Sequence, residues 1–196
     1  MVISHRVNSI QQLKDTSLNY GIEIDIRYDS SKKDLILSHN QEEENSPLLK
    51  NWIEHYNHSF LILNSKTSLS ENLCIDYMLE NGIKNWYFLD SQIPDIIRFN
   101  KEGFHNFICR YSIYENLNLD LLEKNSKYIW IDSFGDYDLD FCLELKDIPN
   151  IFISGDDSEK EKNDKSSNHR SLFICNSFLD NDHIKKHILK GETWIK

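Results

Sequence analysis

The chain has 196 residues, 39% hydrophobic and 12% aromatic, and a formal net charge of -10 at pH 7. That much apolar material supports one well-cored domain over residues 1–196 rather than two. So acidic a balance gives no electrostatic case for nucleic acid or an anionic membrane surface. No apolar run reaches bilayer-spanning length, and no basic-then-apolar leader opens the chain, so the expected setting is cytoplasmic, with no membrane insertion. The four cysteines (Cys74, Cys109, Cys142, Cys175) show no CxxC spacing, which argues against a zinc ribbon or a disulfide framework and for free thiols.

In chain order, Val2-Ile3-Ser4 reads as a short strand that delivers His5 and Arg6. A helix is expected over Ile10 to Asn19. In Gly21-Ile22-Glu23-Ile24-Asp25-Ile26-Arg27 the period-two alternation predicts a strand with an apolar face and a face carrying Glu23, Asp25 and Arg27. Leu35-Ile36-Leu37 then delivers Ser38 and His39. Further apolar runs follow at Phe60-Leu63, Trp86-Leu89, Phe107-Cys109, Tyr128-Ile131, Ile151-Ile153 and Leu172-Cys175. Helices are expected between them: Leu48 to Tyr56, Ser70 to Asn81 with a capping signal at Ser68 and Glu71 and a stop at Gly82, and Ile93 to Asn100 with Pro94 in its first turn and Gly103 beyond its end. Leu117 to Leu122, Leu139 to Leu145 and His183 to Leu189 complete the set, while Gly155 to Asn168 is wholly polar and reads as a loop, with a lid as one role for it, or as a solvated helix with no core face.

Eight apolar runs alternating with helices favour a compact (β/α)8 TIM barrel of the α/β class, with some helices short or missing at this length; an open doubly wound sheet is the second choice. In a barrel the strand ends line one mouth. Read in order they are His5 and Arg6, Asp25 and Arg27, Asn64 and Lys66, Asp90, Arg110, Asp132, Ser154 and Asn176. This much charge of both signs fits a metal together with a phosphate better than it fits a dry core. Paired carboxylates suit a hard divalent cation, and two histidines suit proton transfer near neutral pH. By contrast His183 and His187 read as a solvated helix face, and His55 and His58 as surface residues.

His5-Arg6, Glu23-x-Asp25 and His39, in this order and spacing, resemble the glycerophosphodiester phosphodiesterase family, part of the phosphatidylinositol-phospholipase-like phosphodiesterase barrels. Tyr87-Phe88-Leu89-Asp90, Arg110 to Glu115 and Tyr128 to Asp132 resemble a short bacterial branch of that superfamily. The pattern departs in two places. His39 is followed by Asn40 where the family has aspartate, and Asn64-Ser65-Lys66 stands where it has Glu-x-Lys.

The resemblance implies a phosphodiesterase with His5 and His39 as general acid and base and a divalent ion, Mg²⁺ or Ca²⁺, on Glu23 and Asp25. Asp90 is preferred to Asn64 as the third ligand, and Arg6, Lys66, Arg110, Asn64 and Asp132 are expected to bind substrate. The substrate expected is a small soluble phosphodiester, glycerophosphodiester-like or sugar-linked. A lyase releasing a cyclic phosphate, and a degenerate barrel that binds a phosphorylated metabolite without turnover, are the alternatives.

Overall fold

A computed structural model describes residues 2–41, 45–68, 70–111, 124–132, 151–154 and 170–173. The strands are β1 (Val2–Ser4), β2 (Gly21–Asp29), β3 (Asp34–Leu37), β4 (Leu61–Ser65), β5 (Trp86–Leu89), β6 (Phe107–Tyr111), β7 (Tyr128–Asp132), β8 (Ile151–Ser154) and β9 (Arg170–Phe173). The helices are α1 (Ile10–Asp15), α2 (Leu49–Ile53), α3 (Ser70–Glu80) and α4 (Ile93–Lys101). The helices expected over 117–122, 139–145 and 183–189, the polar run 155–168, and Cys142, Cys175, Asn176, His183 and His187 lie outside the described residues.

Several helix ends have a local cause. Ser9 caps α1 in a capping box with Gln12. The helix stops at Thr16, four residues short of expectation with extended backbone there, because Ser17 and Asn19 favour the turn that Tyr20 closes on Ser17. Gly82 (φ 64) and Gly103 (φ 93) end α3 and α4 in Schellman turns, with Ile83 N–H on Met78 O at 3.0 Å and Phe104 N–H on Phe99 O at 2.9 Å. Both stops were legible as glycines. Glu71, by contrast, turns to the Ser65 and Ser91 hydroxyls, each donating at 2.9 Å to Oε1.

The nine strands form one sheet in the order β1-β9-β8-β7-β6-β5-β4-β2-β3, and β1 also pairs in parallel with β2. The long β2 therefore meets β1 at Gly21 and Ile22 and the antiparallel β3 from Ile26 to Asp29, with β4 on its other side. The result is an α/β fold on a curled, mainly parallel sheet. Two features depart from the all-parallel eight-strand expectation: β3 is an added hairpin strand, and β9 runs antiparallel to both β8 and β1. A parallel return needs a crossover with an apolar face, and the polar sequence 155–168 offers none.

Alternation sorts the core into two layers. Ile22, Ile24, Ile26, Leu61, Leu63, Phe88 and Phe107 face the helices, where Leu49, Trp52, Met78 and Phe99 bury against them. Ile3, Ile62, Leu89, Ile108 and Trp130 pack together on the opposite, concave face. Glu23, Asp25, Asn64 and Arg110 alternate with the helix-facing set, so they share that concave face nearer the strands' C-terminal ends. Cys74 and Cys109 are free and buried. Of the two histidines expected at the surface, His58 is buried instead, its Nδ1 2.9 Å from Tyr20 O. Among the described residues no helix is long and apolar enough to cross a membrane.

Buried Asp34 ties β3 to two helices, taking Lys50 Nζ at 2.7 Å and the Tyr77 hydroxyl at 2.6 Å. Burial raises its carboxyl, but Lys50, Tyr77 and the Leu35 amide outweigh that and hold it below the usual range. A depressed folded pKa means that Asp34 stabilises the fold above its unfolded pKa, and that this is lost as pH falls through the folded value. Asp34→Asn should therefore cost about 1–3 kcal/mol at pH 7, with the gap to wild type narrowing at low pH, below the ordinary carboxyl range, in urea titrations. An equal gap at both pH values would remove the charge from the explanation.

Candidate active site

Glu23 and Asp25, two residues apart on β2, are both fully buried. The segment after β1 wraps over them. Arg6 turns the chain with φ 55, and its amide donates to Glu23 Oε2 at 2.7 Å while the Val7 amide donates to Glu23 O at 2.9 Å. That turn leaves His5 Nε2 3.4 Å from Glu23 Oε2, with its ring stacked on Trp130 at 6.2 Å. A non-glycine residue held at positive φ beside a buried carboxylate is the kind of strain that clusters at functional sites.

Asn8 grips Asp25 at two points. Its Nδ2 donates to Asp25 Oδ2 at 2.9 Å, and its Oδ1 accepts the Asp25 amide at 2.8 Å. On the other side Ser38 N–H donates to Asp25 O at 3.1 Å, which brings the end of β3 back across β2. His39 Nδ1 then lies 3.3 Å from Asp25 Oδ2, and Lys66 Nζ lies 3.3 Å from Asp25 Oδ1. Each histidine thus has its own carboxylate on the same strand face.

The next strands add a second charged group. Arg110 from β6 closes a fork on Asp90, Nε to Oδ1 at 2.8 Å and a terminal nitrogen to Oδ2 at 2.6 Å. Asp90 follows β5 at φ 65, and Lys66 Nζ stands 3.6 Å from its Oδ2. Asn64, in register with Asp25, donates from Nδ2 to Glu23 Oε1 at 2.9 Å. Asp132 ends β7 in backbone position beside Ser154.

Charge follows from this packing. Burial pushes the Glu23 carboxyl up to about 8, and the Asp25 charge adds to the shift; the Arg6 amide, Asn64 and Lys66 offset it in part. Burial acts upward on Asp25 too, but Asn8, Lys66 and His39 outweigh it and hold that carboxyl below the usual range. The two carboxyls of the pair are thus pushed in opposite directions, Glu23 up by burial and Asp25 down by its partners.

Two buried oxygens in this cluster make no hydrogen bond: Asn64 Oδ1 and Asp25 Oδ1, the latter having only the Lys66 ammonium. Open buried oxygen acceptors beside two carboxylates fit the donor chemistry of a hard divalent ion. Among the described residues no group of three or more His, Cys, Asp or Glu side chains is placed to hold a metal. The expected Glu23, Asp25 and Asp90 set is thus not assembled as a metal group among the described residues; Asp90 stands in an ion pair with Arg110. The third oxygen that fits is the neutral one on Asn64.

The structure accordingly brings His5, Glu23, Asp25, His39, Asn64 and Lys66 into one linked cluster and joins Asp90 and Arg110 to it through Lys66. Arg6 belongs through its backbone; its guanidinium Nε is buried without a hydrogen bond. Asn8 and the carbonyl partners of Arg27 were missed in the sequence. Asn8 stands three residues after His5 in the same connecting segment, the one cue that would have pointed to it.

The fold and this cluster define an α/β protein on a curled parallel sheet with a histidine–carboxylate site at the strands' C-terminal ends. Among solved structures it is similar to a glycerophosphodiester phosphodiesterase from Parabacteroides distasonis, at TM-score 0.53 and 16% identity, over 73% of this chain and 79% of that one. A glycerophosphoryl diester phosphodiesterase from the same organism aligns at TM-score 0.40 and 12% identity, over 74% of this chain and 76% of that one. No family model and no curated protein matches the chain.

Proposed function

We propose that this chain is a metal-assisted cytoplasmic phosphodiesterase, built on a reduced barrel, that hydrolyses a small soluble glycerophosphodiester-like or sugar-phosphodiester substrate. The observation that carries the reading is the pair of histidines, each within 3.4 Å of its own buried carboxylate on β2. The fold shared with a protein named for this activity supports it.

Asp25, its carboxyl held below the usual range, lies 3.3 Å from the His39 ring and orients it, which suits His39 to handing a proton to the leaving group. His5 is left as the base. It takes a proton from the attacking water as the new P–O bond forms, and His39 gives one to the departing alkoxide as the old bond breaks. Lys66 and Arg6 supply positive charge where the equatorial phosphoryl oxygens gain negative charge, which favours the transition state over the ground state. A divalent ion on Glu23, Asp25 and the Asn64 oxygen would add Lewis acidity at those same oxygens. Attack by a neighbouring substrate hydroxyl instead of water would use the same groups and release a cyclic phosphate.

The test compares bis(p-nitrophenyl) phosphate with a glycerophosphodiester, with and without EDTA. EDTA should abolish turnover of both. His5→Ala should lower kcat about 10²–10⁴-fold on both substrates. His39→Ala should lose far more on the alkoxide-leaving substrate, because p-nitrophenolate departs without a proton. Equal losses on the two substrates would reject His39 as the acid. A folded protein that binds phosphate esters but turns over neither with any divalent metal would favour the binding-only barrel, the reading supported by asparagine at position 64.

A further inference from the structure

We infer that Arg27 is a positioning residue for His39. The inference rests on the phosphodiesterase reading for its catalytic meaning, while its geometry stands alone. Arg27 lies on the same β2 face as Glu23 and Asp25, one step nearer the rim, and is half-buried. Its backbone pairs with Ile36 in β3, and its side chain reaches past the end of that ladder. There its Nε donates to Ser38 O at 3.2 Å and a terminal nitrogen donates to His39 O at 2.7 Å.

These partners are carbonyls rather than carboxylates, and they are consecutive. A planar guanidinium that spans two successive carbonyls fixes the two peptide planes that carry them. Here those planes meet at the His39 Cα, so the fork sets the backbone from which the imidazole projects. The β2–β3 ladder ends at Leu37, so the His39 peptide has no strand register to hold it. Ser38 N–H on Asp25 O anchors one side of the bend, and the Arg27 fork anchors the other. Between them they set where the His39 ring meets Asp25, 3.3 Å away. The arginine side chain does for this bend what a further rung of ladder would do, while leaving the imidazole 35% exposed to the mouth.

The expected result is a loss that runs through His39. Arg27→Met should lower kcat on a glycerophosphodiester about 100-fold, as misplacement of a reacting group does, with KM within about twofold. In a His39→Gln background the same change should cost nothing further. Arg27→Lys, with one donor centre and no fork, should fall between wild type and Arg27→Met, and it serves if the methionine variant fails to fold. Independently of turnover, the His39 cross-peak in protein labelled at histidine, assigned by its absence in His39→Gln, should broaden or split in Arg27→Met.

A tenfold rise in KM with kcat intact would overturn the inference, because Arg27 would then be binding substrate. An undiminished loss in the His39→Gln background, or an unchanged His39 cross-peak, would overturn it too. If wild type shows no turnover at all, the phosphodiesterase reading fails and the cross-peak alone judges whether Arg27 positions His39.

Discussion

Asp25→Asn is expected to lower kcat/KM about 10³-fold or more, in keeping with a group that supports both an acid catalyst and charge stabilisation. The carboxylate sits between Asn8, His39 and Lys66, so three other side chains take their positions from it. Asparagine keeps the shape and one polar atom for Asn8 but removes the charge that faces the His39 ring and the Lys66 ammonium. The same variant should lose Mg²⁺ or Ca²⁺ binding by calorimetry, a readout free of turnover. Activity within tenfold of wild type would show that the charge at this position is not what the site depends on. Because Lys66 retains Asp90 at 3.6 Å, its ammonium is not stranded in the variant, and circular dichroism should report a folded protein.

The second large effect is on stability. Phe88 is fully buried at the centre of the sheet, with Trp86 at 5.4 Å and Phe107 at 5.7 Å between ring centroids. Phe88→Ala removes the ring and leaves a cavity that rigid neighbouring strands cannot close, a cost of about 3–5 kcal/mol. Tm should fall by about 6–20 °C for a chain of this size. Leu79→Ala makes the control: Leu79 is 60% exposed on α3, and its truncation should stay within about 0.5 kcal/mol. A Phe88→Ala loss as small as the control's would mean that the sheet repacks where the buried rings suggest it cannot.

Much of the scaffold was legible because its signals are local. The alternation in Gly21 to Arg27 reports one face packed on helices and one face turned to the concave side, and β2 has that form. Glycines at 82 and 103 mark helix ends because their left-handed conformations disfavour other residues. Apolar runs mark β1 to β8, including Leu35-Ile36-Leu37, while β9 starts at Arg170, two residues before the expected Leu172–Cys175 run; the strand-end rule gathered His5, Asp25, Asn64, Lys66, Asp90 and Arg110.

What stayed hidden involves pairs whose members lie far apart in the chain. The direction of β9 depends on how the chain returns between residues 154 and 170, and an apolar run reads the same in either direction. Asp90 carries a charge that suits a metal as well as an arginine, and only the approach of β6 beside β5 hands it to Arg110. His58 looks like any polar-loop histidine until Tyr20 O meets its ring. The amide of Asn8 and the guanidinium of Arg27 carry no spacing signature, because their partners are set by a turn after β1 and a bend after β3.

The sequence by itself determined which side chains share a strand face and which residues stand at strand ends, since both follow from a fixed two-residue period. The tertiary structure alone decided which opposite charges pair, which carboxyl burial pushes up and which oxygens stay open. Those depend on burial and on separations of a few ångströms between strands, and one-dimensional spacing carries neither.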